Sequence, residues 1–133
     1  MPNRSNAAQR IIWLVKNTIN RVAIPTARRG IGPFSLIRHV GRKSGRHYET
    51  PVLLAELPGY LVLELTYGER VDWFRNISRM DTFEVVHRGK VVTIDRIEPC
   101  SVEQGRAAYG PLASRVLRAT DRQHFRLLHI ATT

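Results

Sequence analysis

Hydrophobic positions recur along this chain with two different periods. Between residues 6 and 23, Ile11, Leu14/Val15, Thr18/Ile19 and Val22 fall at helical spacing, with Arg10, Lys16 and Arg21 off that stripe. Ile24-Pro25 ends this predicted N-terminal helix, because the residue before a proline is pushed out of the α region. Residues 27–33 form a Gly/Arg-rich connection. Beyond it the apolar runs are short and rich in β-branched residues, which predicts strands near 34–40, 48–56, 59–66, 82–88, 90–97 and 124–130. Leu61, Leu63 and Leu65 alternate with Val62, Glu64 and Thr66, the pattern of a half-buried strand. Leu57-Pro58-Gly59 reads as a turn, and Arg88-Gly89-Lys90 as a tight hairpin. Short helices are predicted over 69–79, with Val71, Phe74 and Ile77 inward, and over 101–109 and 111–119, which Gly110-Pro111 separates.

Many short strands, a hairpin and few helices describe a mainly β domain with peripheral helices, a small α+β barrel of about six strands. The 133 residues suit one domain with a real core, so residues 1–133 are read as a single unit. No stretch reaches the roughly 18 apolar residues of a membrane span. The apolar run from Ile11 to Val15 is short and lacks a small-residue cleavage site, so a cytoplasmic protein is expected. Cys100 is the one cysteine, and no Cys/His spacing suggests a metal. His39, His47, His87, His124 and His129 are scattered singly and read as ordinary strand or loop residues.

Formal net charge is +10, but its distribution changes the picture more than its size. Residues 1–50 hold ten Lys and Arg against Glu49 alone, whereas residues 51–133 hold eleven against ten acids. This local surplus suits an anionic cofactor, a membrane surface or a nucleic acid. It peaks at Gly41-Arg42-Lys43-Ser44-Gly45-Arg46, between two largely apolar runs, so it reads as a strand–loop–strand connection. Its cations and glycine-freed N–H groups together make an anion nest for a phosphate or a cluster of carboxylates. A solvated basic turn is the bland alternative, and downstream residues bear on the choice.

Three signals follow in order. They are Gly41-Arg42-Lys43-Ser44-Gly45 with Thr50-Pro51-Val52 opening the next strand, Leu65-Thr66-Tyr67-Gly68 at a strand end, and Asp72-Trp73-Phe74-Arg75-Asn76 on a helix before the Arg88-Gly89 hairpin. Their order and spacing resemble the deazaflavin-dependent nitroreductase family of actinobacteria and related organisms, well over residues 30–97 and loosely at both ends. The resemblance implies a split β-barrel of antiparallel strands, like those of FMN-binding and pyridoxamine-phosphate-oxidase proteins. It implies coenzyme F-420 as cofactor, with FMN as runner-up, and hydride transfer to a small conjugated acceptor such as an enone, quinone or nitro compound. F-420 carries a phosphodiester and an oligoglutamate tail. Arg42, Lys43 and Arg46 would pair with phosphate and carboxylates, and Ser44 with the N–H groups around Gly45 would complete the cradle. By the same resemblance Thr50, Pro51 and Thr66 approach the ring. Trp73 flanks the cofactor or fills the core, and Asn76 touches ligand or fixes a loop. Tyr48, Tyr67 or solvent delivers the proton, and the two tyrosines are the candidate catalytic residues.

The chain also departs from the family. Glu49 stands where relatives often carry a basic residue and would repel a carboxylate tail unless paired with Arg46 or Arg42. No Tyr or Trp follows Tyr109, so the family's tyrosine-rich C-terminal substrate wall is absent, which argues against drug-nitroreductase and quinone-reductase activity. Three rival readings remain. A non-catalytic flavin, heme or lipid carrier on the same barrel differs from the enzyme only in turnover. The N-terminal helix could lie on an anionic membrane at its inner face, with Ile11, Trp13 and Leu14 inward, or cap the barrel. Nucleic-acid binding fits least, because Trp13, Phe34 and Tyr48 are too widely spaced for a stacking platform.

Overall fold

The computed structural model describes residues 21 and 24–132. Seven strands form one sheet: β1 (Ser35–Val40), β2 (His47–Val52), β3 (Leu54–Leu57), β4 (Tyr60–Glu64), β5 (Phe83–His87), β6 (Lys90–Pro99) and β7 (Phe125–Ile130). The helices that lie wholly among the described residues are α1 (Asp72–Ser78), α2 (Val102–Ala108) and α3 (Pro111–Ala119). The sheet order is β2-β1-β5-β6-β7-β4-β3, and every pairing is antiparallel. The edge strands β2 and β3 are successive pieces of one run that breaks at Leu53. One piece pairs with β1 and the other with β4, so a single bent strand closes the sheet into a barrel. Seven strands thus replace the expected six because the predicted 48–56 strand divides. Tyr109 holds the bend: its hydroxyl lies 2.8 Å from the Leu53 carbonyl and 3.0 Å from the Val62 carbonyl. Burial pushes that phenol's pKa well up.

Ile37, Leu61, Leu63, Leu65, Phe83, Val85, Ile94 and Leu128 fill the barrel, with Phe74 and Ile77 of α1 closing one end. β4 departs from the half-buried expectation. Val62 is as buried as its neighbours, because Ala55 and Phe125 cover it on the outer face and α2 packs there. Gly105 of α2 permits that contact, since a Cβ there would lie 2.3 Å from the Phe125 ring. Ser101 caps α2 by accepting from the Gln104 N–H at 3.1 Å.

The predicted helix over 6–23 lies outside the described residues, apart from helical Arg21. Residues 24–28 are helical, so Pro25 stands within helical backbone instead of ending it. The ring's fixed φ is itself helical. Ala27 is buried against Leu36 and Val86, and that packing outweighs local preference. Gly30 (φ 74°) ends this turn against the β5–β6 hairpin, where a Cβ would meet the Arg88 carbonyl carbon at 2.8 Å. Arg88 (φ 51°) and Gly89 (φ 78°) make the two-residue turn expected from the sequence.

Candidate functional site

Antiparallel pairing sets which loops meet. β1, β6 and β4 run one way, and β5, β7, β2 and β3 the other. The chain therefore leaves β1 and β4 at the same end of the barrel, which brings the 41–46 loop and the 65–71 segment to one rim. α1 sits on that rim too, between the end of β4 and the start of β5.

The 41–46 loop is a closed hairpin turn. The Gly41 N–H donates to the Arg46 carbonyl at 2.8 Å, and the Gly45 N–H to the Gly41 carbonyl at 2.9 Å. Gly45 has φ 71°, and Gly41 lies under side chains, since a Cβ there would sit 2.5 Å from Ser44 Oγ and 3.1 Å from Tyr48 Cε2. Ser44 Oγ accepts from the Arg46 N–H at 3.2 Å. The amides of Gly45 and Arg46 are thus spent on the turn, and that of Arg42 donates to Asn76 Oδ1 at 3.2 Å. Among the described residues, the N–H groups of Lys43 and Ser44 have no protein acceptor.

The three loop cations divide. Arg42 is largely buried and anchored to α1, with Nη1 3.0 Å from Asn76 Oδ1 and Nη2 3.1 Å from Asp72 Oδ1. Lys43 and Arg46 are exposed and make no side-chain ion pair among the described residues. Glu49 is neutralised, but by Arg28 and Arg38 instead of Arg46 or Arg42. Strand alternation explains this: Tyr48 and Thr50 face the barrel side of β2, so Glu49 faces outward with Arg38, its register partner on β1. Those guanidiniums hold the Glu49 carboxyl below its usual range.

Beneath the loop runs a buried polar chain. Asn76 Nδ2 lies 3.0 Å from His39 Nδ1, and His39 Nε2 lies 2.8 Å from Thr50 Oγ1. Burial lowers the His39 pKa. The Tyr48 ring stacks on His39 at 5.4 Å between centroids and 21° between planes, leaving its other side to solvent at 43% exposure. Tyr48 and Ser44 hydroxyls are 3.4 Å apart. A cleft of about 700 Å³ adjoins the stack, lined in part by His39, Tyr48, Met80 and Phe83. Of the predicted site residues only Tyr48 lines it, so this cleft flanks the loop without containing it.

The remaining predicted residues are more dispersed. Pro51 lies on the outer face of β2 opposite Leu36. Thr66 is exposed, donating to Glu64 at 2.5 Å, and its carbonyl accepts from Arg122 at 3.0 Å. Tyr67 is 67% exposed beside it. Trp73 is half-buried, packs on the barrel core and meets the Phe74 ring edge-on at 6.0 Å. Asn76 is buried and fixes the loop to α1. Sequence reasoning missed His39. The signal was available: a hairpin closed by 41–46 pairs residue 39 with Tyr48 on the inner face.

No family model matches the chain, and no curated protein matches it. Solved structures do. One is an F420-H2 dependent reductase (FDR-A), with TM-score 0.51 and 23% identity over 74% of this chain and 94% of that one. Another, described as a domain-swapped dimer, has TM-score 0.52 and 17% identity over 89% of this chain and 97% of that one. The bent closing strand, the antiparallel order and these similarities agree: the chain has the split-barrel fold of the F-420-dependent reductase it resembles.

Proposed function

We propose that this protein is an F-420-dependent oxidoreductase that passes hydride between the reduced deazaflavin and a small conjugated acceptor. One observation carries the reading: two exposed loop cations, with no ion pair among the described residues, adjoin a half-exposed aromatic ring on a split barrel. Lys43, Arg46 and the N–H groups of Lys43 and Ser44 fit a phosphodiester and a polycarboxylate tail. Tyr48 offers a flat face to a ring system, and Thr50 stands two residues further along the same strand face. FMN would satisfy the phosphate contacts and leave the remaining cation without a partner, so F-420 is the better fit.

Hydride chemistry is what a reduced deazaflavin supplies when bound. The chain's own residues have simpler duties. The loop cations bind and screen negative charge, and Arg42 ties the loop to α1 so that its geometry is set before binding. The His39 stack holds the Tyr48 ring in one plane. Tyr48 and Tyr67 are the hydroxyls that position an acceptor at the rim. Self-association, as in the dimeric neighbour, belongs to the same proposal.

Stopped-flow absorbance tests it. Reduced F-420 mixed with protein and a panel of enones, quinones and nitro compounds should oxidise faster than without protein for at least one acceptor. Confirmed binding with a flat result across the panel would favour the carrier. Tyr48→Phe and Tyr67→Phe remove only a hydroxyl, so lost turnover with intact binding would assign each a polar role.

A further inference from the structure

The polar chain under the hairpin is consistent in only one direction. Arg42 presents its backbone N–H and Nη1 to Asn76 Oδ1 at 3.2 and 3.0 Å. A guanidinium is always protonated and has donors only, so that end of the amide must be the oxygen. Asn76 Nδ2 then faces His39 Nδ1 at 3.0 Å and donates to it. Nδ1 must be bare, and a neutral ring carries its proton on Nε2. Nε2 lies 2.8 Å from Thr50 Oγ1 and donates to that oxygen. The Thr50 hydroxyl proton is left without an acceptor among the described residues.

We propose that His39 is a positioning residue that fixes Thr50 as a hydrogen-bond donor, so that this point of the site selects ligands presenting an acceptor atom, a carbonyl oxygen or an unprotonated ring nitrogen. The ligand's identity rests on the F-420 reading, but the polarity does not. Two features lock the direction. His39 is 6% exposed, and the groups facing it are Asn76 from α1 with Thr50 and Tyr48 from β2, none of them a carboxylate. A second proton on Nδ1 would also face the Asn76 NH2, and relief would require the amide to turn away from Arg42. A ligand that offers only a donor at Thr50 leaves the hydroxyl proton stranded, which is how a polar site rejects a mismatched group.

Two measurements decide the matter. In ¹⁵N-labelled protein without ligand, long-range ¹H–¹⁵N correlations, assigned by the signals missing from His39→Gln, should show Nε2 protonated and Nδ1 bare. Asn76→Asp, which puts a carboxylate against Nδ1, should move a proton to Nδ1. An Nδ1–H ring in the parent, or fast exchange between tautomers, would overturn the proposal, and the parent spectrum suffices if the aspartate variant fails to fold. In fluorescence titrations with F-420, Thr50→Val should bind about tenfold more weakly than the parent, and Thr50→Ser within about threefold of it. Parental affinity in Thr50→Val would overturn the donor assignment. If the parent itself fails to bind F-420, the cofactor reading falls instead, and the ligand-free tautomer still decides this proposal.

Discussion

Two histidines at opposite ends of the barrel keep different company. At the loop end His39 lies between an amide and a hydroxyl, Asn76 and Thr50. At the other end His87 lies 2.6 Å from Ser35 Oγ and 2.6 Å from Glu56 Oε1, a carboxylate that also meets Arg88 at 3.3 Å. An amide has one donor end and one acceptor end, so it imposes a direction on its neighbours. A carboxylate only accepts, and it tolerates the ring neutral or charged. The His87 end is therefore a clamp joining β1, β3 and β5, closed by the two-residue turn against Gly30. The His39 end carries a polarised chain under a six-residue loop with two exposed cations that make no ion pair among the described residues. The proposed anion binding, which needs one fixed orientation, is therefore assigned to the second end.

The largest expected effect breaks that contrast through stability. Asn76→Leu removes the acceptor of the Arg42 N–H and Nη1 and the donor to His39 Nδ1 in a buried setting and should cost on the order of 3 kcal/mol in urea denaturation. Ser35→Ala removes one neutral hydrogen bond from the clamp and should cost about 1 kcal/mol. Equal losses would mean that the loop end has no special network. Next come the loop cations. Lys43→Ala should weaken F-420 binding by about 1–3 kcal/mol with an unchanged Tm, because an exposed loop cation contributes little to folding. Arg42→Ala should lower affinity and Tm together, since this residue anchors the loop to α1. A Tm loss in Lys43→Ala matching that in Arg42→Ala would erase the division of labour.

The smallest effects separate the two ends by pH. Burial lowers the His39 pKa below its ordinary 6.5, so the folded state resists a proton that the unfolded chain accepts. That stability is present above about pH 6.5 and is lost as pH falls through the lowered value. Glu56 is held below its ordinary 4.5, chiefly by the hydrogen bond from His87, so its contribution is present above about pH 4.5 and is lost only below it. Denaturation midpoints from pH 8 to 3 should show both windows, with His39→Gln flattening the upper one and Glu56→Gln reducing the lower, which Glu49 shares. A single window, or both removed by one substitution, would contradict the assignment.

Much of the fold was legible because its signals are local. Six strand regions, the 88–89 turn and all three helices after residue 69 follow from period, turn residues and the Gly110-Pro111 break. The break at Leu53 was not, because a tertiary contact from Tyr109, 56 residues away, makes it. Helical backbone through Pro25 likewise depends on burial of Ala27 beneath β1 and β5. The 41–46 loop stood out by composition, but charge counting cannot tell an anchoring arginine from solvent-facing cations, and Arg42 differs from Lys43 and Arg46 through its contacts with α1. Glu49 found other partners because alternation turns it to the outer face. His39 was unreadable as a lone histidine and becomes informative only when the register brings Thr50 and Tyr48 beside it.

Paired fluorescence titrations of the parent protein with F-420 and with FMN, at low and high salt, test the central claim most directly. The account predicts tighter binding of F-420, weakened by added salt through screening of exposed charge, and a preference reduced by Lys43→Ala. FMN binding as tight as F-420, or F-420 affinity indifferent to salt and to Lys43, would contradict it.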